Sequence, residues 1–125
     1  MSRPKILVVD DEPSVLRLVS NSLSARGYEV HAAGSPVQAL DLVKTTPSFD
    51  LVVSDIIMPE ICGPELIRRI KQMCPNIAVI LMSAHIASEA LPEHAAFLSK
   101  PFQMADLFSV VERKLTPPLG DSTSA

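Results

Sequence analysis

"KILVVDDEPSVLRLVSNSLSARG" (Lys5–Gly27) carries two structural signals back to back. "KILVV" is short, continuously apolar and β-branched, the pattern of a strand buried on both faces. "PSVLRLVSNSLSARG" then places Leu16, Val19 and Leu23 at helical spacing. Pro13 suits a first helical turn and Gly27 a C-terminal stop. Between the two lie three consecutive acids, Asp10, Asp11 and Glu12. A buried strand that ends in carboxylates and hands over to a helix is the first half of a βαβ unit.

The unit recurs along the chain. "YEVHAAG" is a second, weaker strand. "SPVQALDLVKTT" repeats the Ser-then-Pro helix start at Ser35 and Pro36, with Val37, Leu40 and Val43 on or near one face. "DLVVS" is a third strand, and "GPELIRRIKQM" a helix aligning Leu66, Ile70 and Met73. "IAVILM" (Ile77–Met82), the most apolar strand, belongs near the sheet centre. A short fifth strand, "AFLS", follows an irregular stretch. "MADLFSVVERKL" closes with a stripe of Met104, Leu107, Phe108, Val111 and Leu115. "TPPLGDSTSA" is a polar tail expected to be disordered. Five alternations imply an α/β fold, a doubly wound five-stranded parallel sheet with helices on both faces.

Composition narrows the function. With 125 residues, 47% hydrophobic and 20% charged, the chain has the makeup of one soluble domain. A net charge of −3 supplies no basic stripe, so no nucleic-acid partner is expected. Cys62 and Cys74 match no metal or redox spacing and read as reduced thiols. The N-terminal apolar run is too short for a signal peptide, and no stretch is long enough to span a bilayer. These features point to a cytoplasmic protein with no membrane partner.

Polar residues follow the apolar runs in a regular way. The first run ends in Asp10 and Asp11, the third in Asp55, the fourth in Ser83 and the fifth in Lys100. In open parallel sheets, sites form beyond the carboxyl ends of the strands, where strand order reverses. Taken singly, each residue has a plain structural explanation. Asp10 and Asp11 suit a turn or cap, Asp55 an Asx-turn before Pro59, Ser83 a turn, and Lys100 a solvated position. None of these explanations accounts for all five lying at one end of the sheet. Three clustered carboxylates require a cation or protons. Oxygen ligands without organised His or Cys favour Mg²⁺ over Zn²⁺. A carboxylate beside such an ion can attack phosphorus and become an acyl phosphate, with Lys100 stabilising the transferring oxygens and Ser83 bonding the new group. Asp55 is thus placed to be phosphorylated.

The segments "ILVVDDE", "DLVVSDIIMP" with "CGPEL" after it, "VILMSA" and "FLSKPF" resemble the receiver domain of two-component response regulators, from about Lys5 to Leu115. The resemblance implies a flavodoxin-like fold with sheet order 2-1-3-4-5. It implies a receiver domain over residues 1–116 and a tail over 117–125, in a single-domain phosphorelay protein. Asp11 and Asp55 would bind Mg²⁺ with the main-chain carbonyl of Ile57, and Asp10 would assist through water. Asp55 would take phosphate from a sensor histidine kinase or a histidine phosphotransfer protein, and Lys100 would contact it. The Lys100–Pro101 bond would be cis, and Ser83 and Phe97 would form a coupled switch. The protein would catalyse only its own phosphorylation and dephosphorylation, as a monomer or a phosphorylation-dependent dimer.

Three features depart from the family pattern. Phe97 has no hydroxyl where tyrosine is frequent. Ile57 and His85 occupy positions that tune phosphate loss in the family, and an apolar Ile57 cannot orient an attacking water, so a long-lived phosphoryl state is expected. Only "AHIASEALPEHAA" separates Ser83 from Phe97, and Pro92 breaks it, so the family's fourth helix should be short, shifted or irregular. That shortening resembles receivers joined to hybrid histidine kinases. His31, His85 and His94 read as surface or loop residues, not phosphate carriers.

Other classes fit less well. An Asp-nucleophile Mg²⁺ phosphatase would carry its nucleophile after the first strand and a second acid two residues on. A flavin domain would need a Ser-, Thr- or Gly-rich phosphate loop where "DDEP" stands. A receiver retained as an unphosphorylated scaffold is the remaining alternative, and the intact Asp, Ser and Lys set argues against it.

Overall fold

The computed structural model describes residues 3–46, 48–84 and 95–115. Strands β1 (Lys5–Val9), β2 (Glu29–Ala33), β3 (Leu51–Asp55), β4 (Ala78–Ser83) and β5 (Ala96–Ser99) alternate with helices α1 (Pro13–Ala25), α2 (Pro36–Thr45), α3 (Gly63–Met73) and α4 (Met104–Leu115). The sheet order is β2-β1-β3-β4-β5, and every pairing is parallel. This is the flavodoxin-like arrangement, with the reversal of strand order falling between β1 and β3.

Side-chain alternation along the strands divides the interior into two layers. Leu7, Val9, Val52, Val79 and Leu81 pack against α2 and α3 through Ala39, Val43, Leu66, Ile67 and Ile70. Ile6, Val8, Leu51, Val53, Ile80 and Met82 pack on the other face against α1 and α4 through Val19, Leu23, Leu107, Val110 and Val111. Every residue of β3 is buried, as its central place requires. Arg26 joins the two helices of the second layer, pairing with Glu112 at 2.9 Å and lying 4.2 Å from the Phe108 ring centre.

Local signals set the helix starts. Pro occupies the first turn of α1, α2 and α3. Ser35 caps α2 by accepting the Gln38 N–H at 3.1 Å, and the Gln38 side chain reaches back to the Gly34 N–H at 2.6 Å. Gly27 ends α1 with φ +97°, a conformation that costs glycine little.

The apolar seams differ from the sequence reading at three points. Val37 is 60% exposed, because the buried face of α2 runs through Pro36, Ala39 and Val43. Met73 is 40% exposed, because α3 turns Leu66, Ile67 and Ile70 to the sheet. Val110 adds to the buried face of α4. In each case spacing alone constrains the buried face of a helix only to within a residue. The expected abbreviated helix between β4 and β5, with His85 and His94, and the tail over 117–125 lie outside the described residues.

Candidate functional site

The strand ends bring the acidic residues together. Asp10 directly follows β1, Asp55 is the last residue of β3, Ser83 the last of β4, and Lys100 directly follows β5. Asp10, Asp11 and Asp55 each offer a carboxylate oxygen, and these oxygens lie within 4.8 Å of one another. The five residues singled out after the strands therefore converge on one rim, as the topology of an open parallel sheet demands.

Neighbouring aspartates meet opposite environments. Asp10 is fully buried and Asp11 is exposed. Burial of a carboxylate is tolerated only with partners, and Asp10 has two. Its Oδ1 accepts the Glu12 N–H at 2.9 Å, and its Oδ2 accepts from Lys100 Nζ at 3.0 Å. Lys100 Nζ also stands 3.6 Å from Asp55 Oδ2. The Lys100 N–H donates to the Ser83 carbonyl at 2.7 Å, so the lysine is anchored to the end of β4. The Lys100–Pro101 peptide is cis.

Burial pushes the Asp55 carboxyl above its ordinary value. Lys100 and the Ile57 N–H hold it down, and the like charges of Asp10 and Asp11 push it up further. Burial disfavours the charge on Lys100, yet its hydrogen bond to Asp10 and the attraction of Asp10 and Asp55 prevail, and its pKa is raised. Three carboxylates facing one ammonium leave a net negative cluster built of oxygen ligands. That donor set suits a hard dication.

Ser83 is buried at the end of β4, and Phe97 is half-buried on β5 opposite Leu81. Ile57, two residues after Asp55, has an apolar side chain that is 62% exposed. His31 lies apart on β2, half-buried, with Nε2 2.9 Å from Glu29 Oε2 and its ring edge-on to Phe49.

Sequence reasoning missed Ser54, Gly63 and Glu12. The Ser54 hydroxyl donates to the Asp55 carbonyl at 2.9 Å. Gly63 packs its Cα against the same peptide. One signal was available for each of the first two: a hydroxyl inside an otherwise apolar strand, and a glycine opening a helix, where its propensity is poor.

A family model, the response regulator receiver domain, matches residues 6–112. The chain belongs to this family. These domains are signalling modules of two-component systems. Sensor kinase CckA of Brucella abortus is 38% identical over 117 residues, covering 88% of this chain and 12% of its own length. The response regulator receiver protein CpdR of the same organism is 32% identical, covering 89% of this chain and 96% of its own. The crystal structure of the response regulator TrrA from Thermotoga maritima in complex with Mg²⁺-BeF superimposes with a TM-score of 0.80 at 32% identity, covering 90% of this chain and 99% of that one. Among the described residues no helix is long and apolar enough to cross a membrane.

Proposed function

We propose that this receiver accepts a phosphoryl group on Asp55 from a phosphohistidine on a sensor kinase or phosphotransfer protein, and works in a cytoplasmic phosphorelay. The observation that carries this reading is the convergence of the Asp10, Asp11 and Asp55 oxygens with Lys100 Nζ at 3.6 Å from Asp55.

Asp11 and Asp55 would hold Mg²⁺ with the main-chain carbonyl of Ile57, and Asp10 would assist through water. When bound, the ion would neutralise charge on the transferring oxygens and lower the repulsion between an anionic donor and an acidic site. The carboxylate of Asp55 attacks phosphorus in line with the P–N bond of the phosphoimidazole. The O–P bond forms as the P–N bond breaks, the electron pair leaves on the imidazole nitrogen, and an acyl phosphate remains. Lys100, held by Asp10 and by the Ser83 carbonyl, donates to the phosphoryl oxygens. The Ser83 hydroxyl turns to the new anion and Phe97 moves inward with it, the local change that a partner reads. The exposed apolar side chain of Ile57 orients no water toward phosphorus, so the phosphoryl state is long-lived. Residues 1–116 make up the unit that carries this chemistry.

Three features support the reading: the family membership, the oxygen-only cluster, and the Mg²⁺ in the related TrrA complex. The test is intact mass after incubation with acetyl phosphate, with and without Mg²⁺, for wild type and Asp55→Asn. One adduct of a single phosphoryl group, requiring both Mg²⁺ and Asp55, is expected. A folded, Mg²⁺-binding wild type that takes no adduct would establish an unphosphorylated scaffold instead.

A further inference from the structure

The acceptor carboxylate stands on a stretch of main chain gripped by residues outside the charged cluster. Ser54, fully buried one residue before the acceptor, donates its hydroxyl hydrogen to the Asp55 carbonyl at 2.9 Å. A buried hydroxyl is tolerated when it is hydrogen-bonded, and this one spends its bond on the acceptor's own peptide.

Gly63 closes on the same peptide from α3. A Cβ at this position would collide with the Asp55 carbonyl oxygen and stand 2.8 Å from Ile56 Cα and 3.2 Å from the Asp55 carbonyl carbon. The Gly63 N–H donates to the Ile56 carbonyl at 2.7 Å, and the Ile56 N–H to the Met82 carbonyl at 2.9 Å. Gly63 does not have positive φ, which among the described glycines only Gly27 adopts. Its requirement is space, not conformation. The atoms a side chain would meet are all main chain, so no rotamer change could relieve the contact. Relief would need α3 and the end of β3 to part by roughly 1 Å to reach ordinary van der Waals separation. That movement would carry Asp55, and with it Ile57, whose N–H bonds the acceptor carboxylate.

We propose that Ser54 and Gly63 are positioning residues for phosphoryl transfer, fixing the main chain from which the Asp55 carboxylate reaches the rim. This rests on Asp55 being the phosphoacceptor. Neither residue touches the reacting atoms. Both act through the peptide that follows Asp55, and misplacement of a reacting group by about 1 Å can cost on the order of 100-fold in rate.

The test compares wild type with Gly63→Ala, Ser54→Ala, Ser54→Thr and Val111→Ala, the last being a core truncation in α4 away from the rim. Three quantities are measured on each: the rate of acetyl phosphate phosphorylation at saturating Mg²⁺, the Tm, and the amide shifts of Ile56 and Ile57 in metal-free protein. Gly63→Ala is expected to lose about tenfold or more in rate and Ser54→Ala about threefold, both with displaced amide shifts. Ser54→Thr, which keeps the hydroxyl, stays close to wild type. Val111→Ala loses Tm but keeps its rate and its Ile56 and Ile57 shifts. The proposal is overturned if Gly63→Ala and Ser54→Ala match the wild-type rate, or if Val111→Ala loses as much rate for the same loss of Tm. Should Gly63→Ala not fold, the Ser54 variants decide, and an alanine at wild-type rate overturns it. A wild type that takes no phosphoryl group removes the phosphoacceptor reading and this proposal together. A phosphorylated wild type matched by its variants removes this proposal alone.

Discussion

Lys100 donates to the fully buried carboxylate of Asp10 at 3.0 Å across 90 residues of chain. The lysine is itself only 18% exposed in its side chain and also faces Asp55. It thus compensates one buried charge while standing 3.6 Å from Asp55 Oδ2. Replacing it with Met would leave Asp10 without its counter-charge. Lys100→Met should lower stability by about 3 kcal/mol in metal-free protein, the low end for removing one partner of a buried ion pair, since Asp10 keeps the Glu12 N–H. Added Mg²⁺ should recover part of that loss in the variant. Denaturant unfolding with EDTA and with Mg²⁺ measures both, and an unchanged midpoint in EDTA would show that Asp10 does not depend on the lysine.

Burial raises the Asp55 pKa, which fixes the sign of its effect on stability. The folded protein retains a proton at pH values where the unfolded chain has lost it. Stability therefore falls as pH rises from the ordinary carboxylate value through the raised one. Below that interval Asp55 costs nothing, and above it the cost is complete. Metal-free Asp55→Asn should accordingly be more stable than wild type at pH 7, with the two converging as pH falls into the carboxylate range. Thermal melts across pH in EDTA test this, and a constant gap from pH 3 to pH 7 would contradict it.

Glu65 behaves oppositely. Hydrogen bonds from Arg68, at 2.6 and 3.0 Å, and from Arg69, at 3.0 Å, lower its pKa to about 2. Here the stabilising contribution is complete above the ordinary value of 4.5 and lost as pH falls through the window down to about 2. Glu65→Gln should melt slightly below wild type at neutral pH, and the difference should vanish toward pH 2. High salt should shrink it at pH 7, since these groups are exposed. A salt-independent gap would point to helix packing instead.

Ile57 is 62% exposed and lies two residues after Asp55, the proposed phosphoacceptor. If its apolar side chain leaves water unoriented at phosphorus, Ile57→Asn should shorten the phosphoryl lifetime by about three- to tenfold without slowing phosphorylation. Loss of the adduct over time, followed by intact mass after removal of acetyl phosphate, gives the rate. Equal lifetimes would place control of dephosphorylation elsewhere.

Much of the fold was legible because its signals are local. Continuous β-branched runs mark strands buried on both faces, and a Ser-Pro start with helical spacing marks α2, where Ser35 indeed caps the helix. The candidate site was legible one step further, since strand ends in such a sheet share a rim. Helix seams were read less well. Val37 and Met73 sit at acceptable spacings for burial, yet both are largely exposed, because spacing constrains a face only to within a residue.

The sequence by itself determined the order of strands and helices and which polar residues follow each strand, because both depend on neighbours a few positions away. It left open which of the adjacent Asp10 and Asp11 side chains folding buries: Asp10 is buried and Asp11 exposed. Only the tertiary structure decided that, since the direction of each side chain depends on how β1 ends against β3 and on where β5 delivers Lys100. The same holds for Ser54 and Gly63. Both meet the main chain of Asp55: Gly63 reaches it only once β3 and α3 have packed together, and the Ser54 hydroxyl bonds it inside a strand that folding buries.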